Sequence, residues 1–134
     1  MSKMTLQYEG KLHCKAVHVD SGATIFTDAP KDNQGLGESF SPTDLVATAL
    51  GGCILTVMGI QARTLGIDLD GTTAEVEKEM SAAPRRIAKL TVKLHVSKPV
   101  SEENRTKLER AAHTCPVHKS LHPDVEQIIE FVWS

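Results

Sequence analysis

One long apolar stretch, from Ser41 to Leu65, constrains the fold more than any other feature of the chain. Its first residue is a serine, which can cap a helix, and Pro42 suits the first helical position. Asp44, three residues after the serine, completes a start signal that also favours the helix dipole. Apolar residues then occur on every face of the predicted helix, so we expect the helix to be buried on all sides.

Two adjacent glycines inside this predicted helix indicate a close contact. Gly51 and Gly52 each cost about 1 kcal/mol relative to alanine in a helix interior. They are favourable only where another backbone packs closely, so we expect Cys53 to lie in the core or at the mouth of a pocket. Threonine and glycine dilute the stretch below the roughly 20 apolar residues of a membrane span, which argues against a transmembrane helix.

The remaining segments predict strands and two more helices around this central helix. The predicted strands lie within residues 4–27 (three strands), 67–80, 87–96 and 125–133, and the helices begin at Ser101 and cover 117–121. The order β-β-β, long helix, β-β, helix pair, β predicts an α+β fold in a single domain over residues 1–134. Because one small domain can hardly cover a helix that is apolar all round, we predict a homodimer in which it packs against its symmetry mate or the partner's strands.

Charge and composition exclude several classes of function. A net charge of −2 and 4% aromatic residues give no general attraction to nucleic acid or anionic membranes and no stacking platform for single strands. The first ten residues contain no apolar signal core, so we expect no export. Three cysteines, an odd number, argue against a disulfide framework and for reduced thiols in the cytoplasm.

Two of the cysteines are candidates for thiol chemistry. Nothing local lowers the pKa of Cys53, which could equally pack as a small core residue. Cys115 precedes Pro116, which suits the first position of a short helix, so Cys115 would be the N-cap, where backbone N–H groups stabilise a thiolate. Alternatively, Cys115 merely marks a helix break. Cys14 lies in a predicted strand and is interpreted as structural.

Histidines that follow Cys115 and two arginines at the start of a predicted strand supply further candidates. Cys115, His118 and His122 could place three ligands on one helical face, but no fourth ligand is evident, so we predict no metal site. Arg85 and Arg86 are either surface charges at the start of a strand, or one of them turns inward. An inward guanidinium can lower the pKa of a thiol and hold a peroxide through paired donors.

The motifs SPTDLVATALGGC, AAHTCPVHKSL and PRRI together resemble the OsmC/Ohr family of osmotically inducible and organic hydroperoxide resistance proteins, in its OsmC-like branch. The resemblance covers nearly the whole chain and implies an intertwined homodimer with active sites at the interface. It implies that Cys53 is the peroxidatic nucleophile, which becomes a sulfenic acid, and that Cys115 resolves it as a disulfide. A dithiol such as a lipoyl group reduces the disulfide again, and no metal or organic cofactor is needed.

Two departures from the family pattern concern activation of the thiolate. The family's active peroxidases carry a glutamate ten residues before the cysteine, where this chain has Thr43 with Asp44 beside it. They also carry an arginine in the N-terminal strand region, where this chain has none. We therefore expect Arg85 or Arg86 to supply the positive charge, with Asp44 or Glu38 as an orienting acid.

These observations leave three functions open. The leading prediction is a thiol-dependent peroxidase that acts on organic hydroperoxides, in which Cys53 attacks and Cys115 resolves. The alternative is a non-peroxidatic OsmC-like protein whose cysteine pocket binds a small ligand or senses redox state. A metal-binding module through the Cys-x2-His-x3-His residues is the third. An arginine near Cys53 favours the enzyme, and its absence favours the binding protein.

Overall fold

Two three-stranded sheets and three α-helices make up the chain, and the computed structural model describes all 134 residues. The strands are β1 (Met4–Tyr8), β2 (His13–His18), β3 (Thr24–Asp28), β4 (Thr73–Ala82), β5 (Arg85–Val96) and β6 (Glu126–Trp133). The helices are α1 (Pro42–Leu65), α2 (Glu102–Ala112) and α3 (Pro116–Ser120). This order confirms the predicted α+β fold. The chain divides into two compact units, residues 1–46 and 47–134, and its organisation as a single domain stays a prediction.

The first unit contains an antiparallel sheet in which β2 lies between β1 and β3. Its register places Leu6 opposite Ala16, and Ala16 opposite Ile25, on one face. Met4 and Tyr8 lie on the same face, because side chains alternate along β1. The large side chains of this apolar face are exposed in the single chain.

The start and end of α1 follow the predicted signals. The Ser41 hydroxyl accepts the N–H of Asp44 at 3.0 Å, and the Asp44 carboxylate accepts the N–H of Ser41 at 2.9 Å. Each residue therefore satisfies a backbone donor of the other, as in a capping box. Gly66 ends the helix with a left-handed φ of 71°, a conformation that glycine adopts without a steric penalty.

One face of α1 is buried and the opposite face is open in the single chain. The buried positions recur every three or four residues and are Ala47, Leu50, Gly51, Ile54, Met58 and Ala62. The open face includes Ala49, Gly52, Thr56, Gly59 and Ile60, the last of which is 61% exposed. The prediction of burial on every side is therefore wrong for one chain, because only one face of α1 contributes to the core.

By length and composition alone, α1 is a candidate membrane span, with 24 residues and a mean hydropathy of 1.8 in its most apolar window. The expectation that threonine and glycine dilute it below the limit is therefore wrong. The core helix of a soluble protein passes the same test. The buried face of α1 belongs to a core of this kind.

The second unit builds its core between α1 and the sheet β4-β5-β6. β5 lies in the centre of this sheet, antiparallel to β4 and parallel to β6. Alternate residues of β5 face the core as the sequence pattern predicts, namely Leu90, Val92, Leu94 and Val96. They form one buried cluster with Leu50, Ile54 and Met58 of α1 and Leu108 of α2.

The two adjacent glycines of α1 differ in their surroundings, since Gly51 lies on the buried face and Gly52 on the open face. A Cβ atom on Gly51 would lie 2.7 Å from Cγ2 of Val76 in β4, closer than real Cβ contacts allow. The predicted close approach is therefore present at Gly51, although it involves a side chain and not a backbone. A Cβ atom on Gly52 would meet nothing within 4 Å, so the same expectation is wrong there.

β4 begins later than the sequence pattern predicts. Residues 68–72 form turns in which Asp68 accepts the N–H of Asp70 at 2.7 Å and the Leu69 carbonyl accepts the Thr72 hydroxyl at 2.7 Å. These local side-chain bonds compete with strand pairing, so the strand starts at Thr73. The predicted cap of α2 is confirmed, since the Ser101 hydroxyl accepts the N–H of Asn104 at 3.3 Å.

Candidate functional site

The thiols of Cys53 and Cys115 meet in the second unit. Cys53 lies in the middle of α1 and is half-buried, whereas Cys115 lies between α2 and α3 and is fully buried. The two thiols lie close enough for Cys53 to raise the pKa of Cys115, and neither forms a disulfide. The structure therefore brings together the two cysteines that the sequence analysis singled out, and places Cys14 in the other unit.

Cys115 is the N-cap of α3, as the proline after it predicts. Its sulfur accepts the backbone N–H of His118 at 3.3 Å, and Pro116 occupies the first helical turn. Proline fits this position because its missing N–H would have had no partner within the helix. The Cys-Pro dipeptide thus both starts α3 and directs a backbone donor at a thiol.

Burial outweighs the cap in setting the acidity of Cys115. Burial is the largest influence and raises the pKa of the Cys115 thiol, and the hydrogen bond with Cys53 raises it further. The N–H groups of His118 and Val117 lower it, but the pKa stays above its ordinary value of 9.0. The cap therefore does not make Cys115 an acidic thiol, contrary to what its local sequence suggests.

Cys53 acts on Cys115 in the same direction as burial. Its contact and its charge both raise the pKa of the Cys115 thiol, so the protonated form of Cys115 is favoured beside Cys53.

The histidines of this region do not converge on Cys115 as metal ligands. The ring Nδ1 of His118 lies 2.6 Å from Oε1 of Gln127, and Nδ1 of His122 accepts the N–H of Asp124 at 3.0 Å. α3 ends at Ser120 and the chain is then extended, so His122 is not on the helical face that the spacing assumes. No group of three or more His, Cys, Asp or Glu side chains is arranged to hold a metal ion.

The four residues predicted to activate the thiolate lie at separate places along the chain. Arg85 and Arg86 are exposed at the start of β5, and the Arg86 guanidinium donates to the carbonyls of Ile87 at 2.8 Å and Asp124 at 3.5 Å. Asp44 takes part in the cap of α1. Glu38 lines a shallow cavity of about 390 Å³ in the first unit. Their role in activation stays a prediction.

Sequence analysis missed two polar contacts. Gln127 of β6 also donates its amide to the His118 carbonyl at 3.1 Å, and nothing in the sequence marks this glutamine. In the first unit, the carboxylate of Asp28 is almost fully buried and lies 2.7 Å from Nδ1 of His13, whose other nitrogen lies 3.4 Å from Glu9. The contact between His13 and Asp28 could have been found from the register of the β2–β3 hairpin, in which these two residues are paired.

Known proteins share both this fold and much of this sequence. A crystal structure from Psychrobacter arcticus 273-4, of a protein provisionally called an osmotic stress induced and detoxification response protein, is 45% identical. The match covers 98% of this chain and 96% of that chain with a TM-score of 0.94. Among curated proteins, none matches this chain.

Two more distant structures show the fold alone. The organic hydroperoxide resistance protein OsmC of Legionella pneumophila is 16% identical, over 98% of this chain and 96% of that chain, with a TM-score of 0.77. OhrB of Bacillus subtilis, an organic hydroperoxide resistance protein, is 18% identical, over 98% of each chain, with a TM-score of 0.69.

The family model described as OsmC-like protein matches residues 35–130. With this match and a 45% identical relative over nearly its whole length, the chain belongs to the OsmC/Ohr family as an OsmC-like protein.

Proposed function

We propose that this protein is a thiol-dependent peroxidase that reduces organic hydroperoxides through a Cys53 sulfenate and a Cys53–Cys115 disulfide. The proximity of the two thiols carries this proposal, because a disulfide can form between neighbouring thiols with little backbone movement. The relatives named for organic hydroperoxide resistance support a redox or peroxide-related function.

The first step is attack by the Cys53 thiolate on the hydroperoxide. A sulfur–oxygen bond forms as the oxygen–oxygen bond breaks, and the departing alkoxide takes a proton from solvent and leaves as an alcohol. Cys53 is thereby oxidised to a sulfenic acid. In this proposal the S–H of the neighbouring Cys115 donates to the Cys53 sulfur and so favours the thiolate that the step requires.

The second step joins the two sulfurs. The Cys115 sulfur attacks the Cys53 sulfur, the disulfide forms, and the hydroxyl of the sulfenic acid leaves as water with the proton of Cys115. The raised pKa of the buried Cys115 thiol suits this order, because the proton is retained until the leaving oxygen needs it. A dithiol reductant then restores both thiols by thiol–disulfide exchange.

The proposal includes a cytoplasmic homodimer. The open face of α1 and the apolar face of the first sheet, which contains Leu6 (68% exposed) and Tyr8 (63% exposed), are surfaces that a second copy can cover. A soluble chain rarely leaves large contiguous apolar surface in water. Three free cysteines agree with a reducing compartment.

A non-peroxidatic binding or redox-sensing protein is the second candidate. The observation that favours it is the engagement of the Arg86 guanidinium with two backbone carbonyls, which occupies donors that activation would use. In the peroxidase proposal, Arg85 or Arg86 supplies the positive charge near Cys53, and Asp44 or Glu38 orients it.

Single-turnover kinetics separate the two candidates. Reduced protein is mixed with cumene hydroperoxide or hydrogen peroxide, free thiols are counted over time, and the disulfide is mapped by mass spectrometry. The peroxidase loses two thiols rapidly to a Cys53–Cys115 link, and Cys53→Ser abolishes the loss. Cys14→Ser is the matched control and should react like the wild type. Oxidation no faster than that of free cysteine would reject the peroxidase in favour of the binding protein.

A further inference from the structure

We propose that Gln127 and the side chain of His118 form a clamp that positions the backbone N–H donor on the Cys115 sulfur and so promotes the resolving step. This inference rests on the proposed function for its role in turnover. The clamp itself can be tested on the thiol alone, without any peroxide chemistry.

The clamp consists of two hydrogen bonds between the same two residues. The Gln127 amide nitrogen donates to the His118 carbonyl at 3.1 Å, and its amide oxygen lies 2.6 Å from Nδ1 of the His118 ring. A carbonyl can only accept, so the first bond fixes which end of the Gln127 amide is nitrogen. The amide oxygen can also only accept, so Nδ1 of His118 carries the proton. Both bonds are then satisfied at once.

The clamp connects a very short helix to the core sheet. α3 has five residues, too few to be stable without outside contacts. Gln127 lies on β6 directly opposite Leu90, which is completely buried at the centre of the sheet. Gln127 holds both the ring and the carbonyl of His118 and therefore fixes this turn of α3. The backbone N–H of His118 lies in the same turn, 3.3 Å from the Cys115 sulfur.

The backbone N–H of His118 matters most when the Cys115 sulfur attacks the Cys53 sulfur. As Cys115 releases its proton to the departing oxygen, its sulfur becomes transiently more negative, until the new bond to the Cys53 sulfur consumes that charge. An N–H directed at a charged sulfur is stronger than one directed at a neutral thiol. No side-chain cation is needed for this stabilisation, but the turn must be held in place.

The clamp is supported by a neighbouring ring. Nδ1 of His118 is bonded to Gln127. The ring that lies edge-on to His118, at 6.0 Å between centroids, is His113, and its Nδ1 is in turn bonded to the Glu109 carbonyl at 2.8 Å. Both rings are thus fixed by acceptors that do not titrate.

The first experiment measures the pKa of Cys115 directly. In a Cys14→Ser/Cys53→Ser background, Cys115 is the remaining thiol, and its thiolate absorbance at 240 nm is followed against pH. Gln127→Ala should raise this pKa by about one unit, the effect of one lost charge-assisted bond. Glu126→Ala, which changes an exposed neighbour on β6, should leave it unchanged. An unchanged pKa in folded Gln127→Ala would overturn the clamp.

A second variant shows whether the ring acts through Gln127. His118→Ala removes the ring but keeps the carbonyl bond, so its pKa rise should be smaller than that of Gln127→Ala. Adding His118→Ala to Gln127→Ala should change nothing more. An equal additional rise in the double variant would show that the ring acts independently and would overturn the proposal. Because His118→Ala leaves β6 intact, it also serves as the test if Gln127→Ala does not fold.

Turnover supplies the kinetic readout. In the otherwise unmodified protein, Gln127→Ala should slow Cys53–Cys115 disulfide formation about threefold, because the roughly tenfold smaller thiolate fraction is partly offset by the greater nucleophilicity of a less acidic thiol. The sulfenate should accumulate and be trapped by dimedone, since its formation should slow much less. If the wild type forms no sulfenate, the proposed function fails while the pKa experiment still tests the clamp. If the wild type turns over and Gln127→Ala resolves equally fast, the clamp is wrong.

Discussion

Adding one methyl group at Gly51 should destabilise the protein even though it replaces a poor helix former. The new Cβ would lie 2.7 Å from Cγ2 of Val76, about 1 Å inside a normal carbon–carbon contact. Val76 cannot easily move away, because its branched side chain has few χ1 rotamers. Overpacking of this kind costs about 1–3 kcal/mol, whereas the gain in helix propensity is about 1 kcal/mol. We expect Gly51→Ala to lower the free energy of unfolding by about 1 kcal/mol.

The matched control removes the atom that clashes. In a Val76→Ala background, Cγ2 is absent, so Gly51→Ala should raise the free energy of unfolding by about 1 kcal/mol from propensity alone. The cycle of single and double variants should therefore give a coupling of about 2 kcal/mol between positions 51 and 76. Urea unfolding at a fixed protein concentration measures all four variants, and thermal unfolding should show shifts of roughly 4 °C per kcal/mol.

The same substitution links packing to chemistry. Gly51 lies two positions before Cys53 on α1, so pushing the helix away from β4 should also move the Cys53 thiol relative to Cys115. Disulfide formation in Gly51→Ala should slow, and the Val76→Ala background should restore it. If Gly51→Ala instead stabilises the protein by about 1 kcal/mol with no coupling to position 76, the close contact of α1 with β4 does not exist in solution.

Three further predictions test the thiol pair and the open surface. Cys115→Ser and Cys115→Ala should both accumulate the Cys53 sulfenate, but only alanine, which lacks a donor, should slow the first attack on hydroperoxide; equal first-step rates would remove the donor role of Cys115. The folded pKa of Cys115 is raised, so its contribution to stability is complete below its ordinary value of 9.0 and is lost as pH rises through the folded pKa. Wild type should therefore lose more unfolding free energy than Cys115→Ala between pH 8 and about 10, and parallel losses would contradict the raised pKa. Ile60→Asp, on the open face of α1, should shift the sedimentation of the protein from dimer to monomer, while Thr56→Ser on the same face should not; a wild type that sediments as a monomer would reject the dimer.

Elements with a strong local signal could be predicted from the sequence. The cap and end of α1 follow from Ser41, Asp44 and Gly66, and the structure confirms all three. The alternation of β5 correctly predicts which residues enter the core, because a strand with one covered face has a period of two. The Cys-Pro pair likewise predicts the start of α3, since proline restricts its position in a helix.

Features that depend on distant parts of the chain could not be predicted. The apolar composition of α1 does not reveal that the rest of the chain covers only one face of this helix. That depends on how the sheet β4-β5-β6 packs against it. The cap at Cys115 predicts a lowered pKa, but the sequence does not show the burial that outweighs it. The Gln127 clamp is invisible for the same reason, since it joins two residues by the register of β6 and not by any motif.

The proposed roles of the two cysteines, attack by Cys53 and resolution by Cys115, follow from their surroundings and not from their residue type. Both are thiols, yet burial raises the pKa of Cys115 and the neighbouring Cys53 raises it further. In the proposed mechanism, Cys115 therefore keeps its proton beside Cys53 until the resolving step. A change that exposes Cys115 to water should lower its pKa and enlarge its thiolate fraction, so resolution should not slow as long as the two thiols stay in contact. A variant that separates the thiols without exposing Cys115 should slow resolution while the thiol keeps a high pKa, and this distinguishes loss of contact from loss of burial.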